Sequence, residues 1–207
     1  MLNYQSCIVL SHFKGHAMGG FGGALKQLSI GFASTQGKTW IHTAGESLEH
    51  KDAFAKNTSQ IDFTASMADA ASGIVNYFKS RGGIVYLNVL ANISIDCDCA
   101  GTSAHTPEIT DIGILASTDP VAIDQACYDL IKNTSETGTE TFLKRVREKE
   151  GLNTIESAVN LGIGNKEYNL IEVNINNDDD TDPGNKESSS FVNLPWSLIL
   201  LLLVFFV

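Results

Sequence analysis

Within His12-Phe13-Lys14-Gly15-His16-Ala17-Met18-Gly19-Gly20-Phe21-Gly22-Gly23, two imidazoles and one ammonium are interleaved with five glycines. Glycine has no Cβ and tolerates positive φ, so such a loop lets a ligand approach the backbone. Oriented N–H groups of Gly19, Gly20, Gly22 and Gly23 can hold a phosphate or carboxylate, with Lys14 as the counter-charge. Lys14 is therefore the candidate catalytic residue, and these four glycines are the candidate cofactor-binding ones. The loop is not a P-loop, because no Gly-Lys-Ser/Thr follows, and its spacing is not that of a dinucleotide fingerprint. The competing reading is a structural loop with surface histidines.

Asp96-Cys97-Asp98-Cys99 is the second chemical cluster. If the apolar run before it continues as a strand, Ile93, Ile95, Cys97 and Cys99 share one face. Two thiolates at i and i+2 bind a soft metal or contribute to an iron–sulfur cluster. His105 offers a third ligand, and His12 and His16 complete a set if the two loops meet. Cys97, Cys99, His12 and His16 are the candidate metal ligands; iron, zinc or an iron–sulfur cluster is the expected cofactor. The alternative is a pair of free thiols in a loop beside a carboxylate-capped turn. Asp119 reads as a helix cap, and Asp124 and Asp129 as residues of a polar helix face. Ser11 and Ser117 end strands, but no Gly-x-Ser-x-Gly elbow supports a nucleophile.

These residues need a scaffold. Cys7-Ile8-Val9-Leu10 reads as a buried strand that delivers the glycine loop. A helix opens between Gly22 and Ile30, and residues 31–50 read as loop. Apolar residues from Ile61 to Phe78 recur at helical spacing, giving a helix over 60–79 capped by Thr58 or Ser59 and stopped by Gly82-Gly83. Ile84 to Ile95 reads as a strand buried on both faces, and Asp111 to Ser117 as a third. Asp119-Pro120 starts a helix with Asp at the N-cap. Helices over 140–150 and 154–161 and a strand over 168–173 follow. The alternation predicts an α/β domain with a mostly parallel sheet and flanking helices.

The chain has 207 residues, 43% hydrophobic and 18% charged, which suits one domain with a substantial core. Its net charge of −10 and scattered cations argue against nucleic acid as a partner. Lys144-Arg145-Val146-Arg147 reads as an exposed helix face. Four cysteines do not make a disulfide scaffold, and Cys7 and Cys127 read as buried hydrophobes. No signal peptide is evident, so the sequon at Asn92, in a run that looks buried, carries little weight. The expected organisation is a domain over 1–174, an acidic polar linker over 175–190 and a hydrophobic tail over 191–207. That tail is close to the lower length limit of a bilayer span. Its readings are a membrane anchor on a cytoplasmic domain, a lipid-attachment signal, or a non-native tail or intermolecular contact. A core strand is not expected there, because the linker separates it from the domain.

Ser11-His12-Phe13-Lys14-Gly15-His16 with Gly19 to Lys26, and Asp96-Cys97-Asp98-Cys99 followed by Asp111 to Ala126, resemble the signature of the DUF362 family. The resemblance extends over about Cys7 to Val173. The family is widespread in anaerobes, and many members carry a ferredoxin-like segment that binds [4Fe–4S] clusters; this chain lacks that segment. It looks like the C-terminal portion of the family domain, truncated at its N-terminus, so an incomplete domain is expected. The resemblance implies a metal- or iron–sulfur-linked redox role. The alternatives are a non-metal enzyme acting on a small anion held by the glycine loop, or a non-catalytic membrane-associated binding module. A small anionic ligand or a redox partner is the expected partner.

Overall fold

The computed structural model describes residues 3–55, 57–173 and 201–206. Strand β1 (Cys7–His12) runs into a hairpin, β2 (Lys14–His16) and β3 (Gly20–Gly22), where a loop is expected from the glycines. A single helical turn, α1 (Ala24–Lys26), continues into a π-helical turn over Gln27–Gly31. Helix α2 (Thr35–His42) follows within the stretch that reads as loop. Gly37 in its middle lowers its helix propensity and hides it, while the Ser34 side chain accepts the Gly37 N–H at its start.

Helix α3 (Gln60–Lys79) forms as its periodicity predicts. Ser59 caps it by accepting the Asp62 N–H, a contact worth about 1 kcal/mol. Phe63, Met67, Ala71 and Phe78 form its buried stripe. Strand β4 (Ile84–Leu90) is shorter than the apolar run, and β5 (Gly113–Ser117) shorter than its own. Asn92, expected to be buried, is exposed, with φ of 52° just past the end of β4. Helix α4 (Pro120–Lys132) starts at Asp119, which accepts the Val121 and Ala122 N–H groups. Helices α5 (Thr137–Glu148) and α6 (Leu152–Asn160) precede β6 (Tyr168–Val173).

Strand β7 (Leu201–Phe206) completes a five-stranded sheet in the order β1-β4-β5-β7-β6. The sheet is mixed, not mostly parallel. β1 is parallel to β4 and β5 to β7, whereas β4–β5 and β6–β7 are antiparallel. The physical reason lies between β4 and β5: no crossover helix intervenes, so β5 returns beside β4 in the opposite direction. β7 also departs from the expectation that none of 191–207 joins the core. An uncharged Leu-Leu-Leu-Val-Phe-Phe run is suited to an internal strand between two neighbours. Linker 175–190 and residues 191–200 lie outside the described residues, and the anchor reading falls largely there. Among the described residues no helix is long and apolar enough to cross a membrane.

The helices pack on one face of the sheet. Val9, Tyr86 and Leu115 meet Leu25, Phe78 and Ile123 in one core. Ile8 and Leu10, on the opposite face of β1, are 71% and 62% exposed. Asp124, expected on a polar helix face, is fully buried in this core. There it accepts the Ala24 and Leu25 N–H groups at 2.7 and 2.9 Å and the Asn88 side-chain amide at 2.8 Å. It thereby satisfies the first turn after the glycine loop, which no local residue caps.

Candidate thiol site and basic cleft

The two chemical clusters meet at the carboxyl end of β1 and β4. Beyond β1 the Phe13 N–H donates to Val89 O, and the Gly15 N–H to Ser94 O at 2.8 Å. The glycine hairpin is thus laid along the segment that leads to the cysteines. A Cβ on Gly15 would collide with the backbone of Ile95. Only glycine lets the loops approach this closely.

Cys97 and Cys99 do not continue a strand. The chain leaves the sheet after Leu90, and the two cysteines sit at a 3-10 turn over Asp98–Ser103 and are joined as a disulfide. The reading as free thiols is therefore corrected: a one-residue spacing in a turn brings the Cα atoms to 5.2 Å, within disulfide reach. Cys97 is buried and Cys99 exposed. The Cys99 N–H points at Cys97 Sγ at 3.2 Å. Asp96 anchors the turn. It receives Arg145 Nη1 at 3.2 Å, the His105 ring Nδ1, and the His105 N–H at 3.1 Å. The hydrogen bond from His105, ahead of those from Arg145, holds the Asp96 carboxyl below its ordinary range. Arg145 also donates to Ile95 O at 3.1 Å. This role is invisible in the sequence, where Arg145 belongs to a basic run on an amphipathic helix.

His16 is the candidate closest to the thiols. One of its ring nitrogens and the two sulfurs lie within 4.8 Å of one another. Its Nδ1 accepts the Met18 and Gly19 N–H groups at 3.2 and 3.0 Å. Burial, together with Lys26, His42, Arg145 and Lys14, brings its pKa down to about 4. The ring is therefore neutral at pH 7, and because Nδ1 is an acceptor, Nε2 carries the proton. His12 has a different task. Its ring bridges Ala91 O, 2.6 Å from Nε2, and Lys14 Nζ, 2.9 Å from Nδ1. His12 thus orients Lys14 instead of joining His16 and the cysteines. His105, paired with Asp96, is likewise outside that group.

Ser11, His12, Lys14, His16, Lys26 and Cys97 border a cleft of about 130 Å³ beside the disulfide. Of the candidate glycines, Gly22 and Gly23 line this cleft. Gly19 and Gly20 do not. Gly19 packs near Met67, and Gly20, at φ +79°, packs against Gly151. Gly23 is pressed so closely on Asp124 and Phe13 that a Cβ would not fit. Lys26 was not singled out by the sequence. Its signal is its place one turn beyond Gly23, where a single turn of helix carries it back over the hairpin.

The arrangement combines a disulfide between an exposed and a buried cysteine, an imidazole ring close to both sulfurs, and two lysines around a small opening. Such a site can stabilise negative charge on the buried sulfur or on a small ligand. A soft metal would find two thiolates once the disulfide is reduced, but Nε2 of His16 would have to lose its proton or Nδ1 its two amide donors. Nor do the other cysteines complete a four-thiolate cluster: Cys7 is at the far end of β1, and Cys127 is fully buried beside Asn88.

Residues 1–129, more than half the chain, match the family model described as a domain of unknown function, DUF362. No curated protein and no solved structure matches the chain.

Proposed function

Because this chain belongs to the DUF362 family, which is defined by sequence and not by a reaction, we propose its function from the site itself: a thiol–disulfide redox centre at Cys97 and Cys99. The observation that carries the reading is the disulfide placed between solvent and a cation-lined cleft. An external thiolate attacks the sulfur of the exposed residue Cys99. The Cys97–Cys99 bond breaks, and Cys97 leaves as a thiolate beside the Cys99 N–H and the His16 ring. A second external thiol then attacks the mixed disulfide and releases Cys99. Two external thiols become one disulfide, and two electrons and two protons pass to the protein.

The test is equilibration in glutathione redox buffers, with protein thiols counted after acid quenching. A reversible two-electron transition is expected, abolished in Cys99→Ser. His16→Gln removes the Nε2–H and destabilises the reduced form by about 1.5–3 kcal/mol, the range for a hydrogen bond to a charged group. The midpoint should therefore move about 30–60 mV more negative. Cysteines that stay reduced, or stay oxidised, across the whole buffer range refute the reading.

A second reading, a soft-metal site at His16, Cys97 and Cys99, is favoured by their proximity within 4.8 Å. Cobalt(II) added to the reduced protein decides it. Intense sulfur-to-cobalt absorption that His16→Gln weakens supports a metal centre, and its absence leaves the redox pair.

A further inference from the structure

We propose that the cavity between the end of α3 and the turn after α6 binds a small carboxylic acid with an apolar body. The cavity holds about 330 Å³ and is lined by Val75 and Lys79 of α3, Ile84 and Tyr86 of β4, Thr118 after β5, and Ile163 after α6. It lies at the amino end of β4, whereas the disulfide follows the carboxyl end of that strand. The site stands apart from the redox centre and does not depend on it.

The first support is Tyr86, which is only 1% exposed and yet lines the cavity. Among the described residues none hydrogen-bonds its phenol. Its cross-strand neighbours do not take it: Val9 has no polar side-chain atom, and Ser117 Oγ accepts the Asp119 N–H at 3.0 Å. A phenol at such a buried position ordinarily finds a partner. Burial, followed by the Asp119 charge, pushes its ionisation up, so it stays protonated and donates. The second support is Lys79, which borders the same cavity and has no ion-pair partner among the described residues. The third is the wall, where Val75, Ile84 and Ile163 offer an apolar surface beside these two polar groups.

Asp119 limits the charge of the ligand. Its Oδ1 accepts the Val121 and Ala122 N–H groups and its Oδ2 the Asn165 N–H, so the amides at the start of α4 are committed. It borders an adjoining cavity that shares Lys79, Thr118 and Ile163 with the first. One ammonium beside one carboxylate favours a singly charged acid over a phosphate ester. Tyr86 donates to a carboxylate oxygen, and Lys79 balances the charge. At about 30 Å³ for a water-sized group, the cavity holds about ten such groups, which suits a benzoate-sized molecule.

Benzoate is titrated into the full chain by calorimetry, with isovalerate, benzyl alcohol and phenyl phosphate as parallel ligands. Saturable one-to-one binding of benzoate or isovalerate is expected, with benzyl alcohol and phenyl phosphate about tenfold weaker or more. Tighter binding of isovalerate would identify an aliphatic acid; the reverse order would identify an aromatic one. Tyr86→Phe, which removes only the hydroxyl, should weaken binding about tenfold or more, and Lys79→Met about three- to tenfold. Lys144→Met, beside Glu148 on α5, should leave it unchanged. Thermal melts check folding, and Lys79→Met, at an exposed helix position, decides the matter if Tyr86→Phe does not fold. No saturable binding of either acid by the folded wild type at tens of millimolar, tighter binding of phenyl phosphate than of benzoate, or unchanged affinity in folded Tyr86→Phe overturns the proposal.

Discussion

Asp124→Asn tests whether burial or hydrogen bonding governs the carboxylate that joins the glycine loop to the core. Asp124 is fully buried, and desolvation outweighs its hydrogen bonds from Leu25, Asn88 and Ala24, with a small contribution from the Asp119 charge. Its pKa is pushed up from 3.8 to about 6. Each tenfold change in proton affinity is worth 1.36 kcal/mol, so this rise corresponds to about 3 kcal/mol. A carboxyl whose folded pKa is raised binds more protons folded than unfolded. Its contribution is fully present below pH 3.8 and is lost as pH rises through about 6.

The expected result follows from comparing two proteins. Asp119 is also pushed up by burial, while Asp96, His16 and His42 are pushed down, and all titrate in both. The difference in unfolding free energy, wild type minus Asp124→Asn, isolates Asp124. From urea melts at pH 4 to 7 it should fall by about 2–2.5 kcal/mol, the rest having been lost below pH 4, with most of the change between pH 4 and 6.5. A difference that stays flat, or that grows as pH rises, refutes the reasoning. It would mean that the three donors hold the carboxylate more strongly than burial opposes it.

Gly15→Ala should destabilise the fold by about 1–3 kcal/mol, because its Cβ meets the Ile95 backbone and forces the hairpin off the cysteine segment. Faster reduction of the Cys97–Cys99 disulfide by dithiothreitol is the accompanying readout, since the turn loses its support. Phe13→Ala should cost about 3–5 kcal/mol in a urea melt. The ring is fully buried, stacked on Phe21 at 5.2 Å and facing Phe142 at 6.3 Å.

Local signals were readable where one residue acts on its immediate neighbours. Ser59 and Asp119 cap the helices expected of them, and the periodicity of α3 and α4 gives most of their buried stripes, Ile61 at the start of α3 being exposed instead. The mixed sheet was not readable, because apolar runs of parallel and antiparallel strands look alike; direction is decided by what joins them. The pairing of β7 depends on the neighbours β5 and β6, from which the polar linker separates it in sequence. The site divides the same way. His16, Cys97 and Cys99 are legible as residue types able to ligate a metal, the structure brings them together, and Gly15 shows why their loops can touch. Their protonation and pairing were not legible. The His16 tautomer is set by the Met18 and Gly19 amides, and the place of Asp96 by Arg145, 49 residues away. Asp124 shows the cost of judging a helix face by polarity alone. Its three donors come from 36 to 100 residues away, and only their convergence makes a buried carboxylate tenable. The candidate site therefore lies less in the motifs than in the contacts between them, with Gly15, His12 and Arg145 holding the disulfide and the lysines around one cleft.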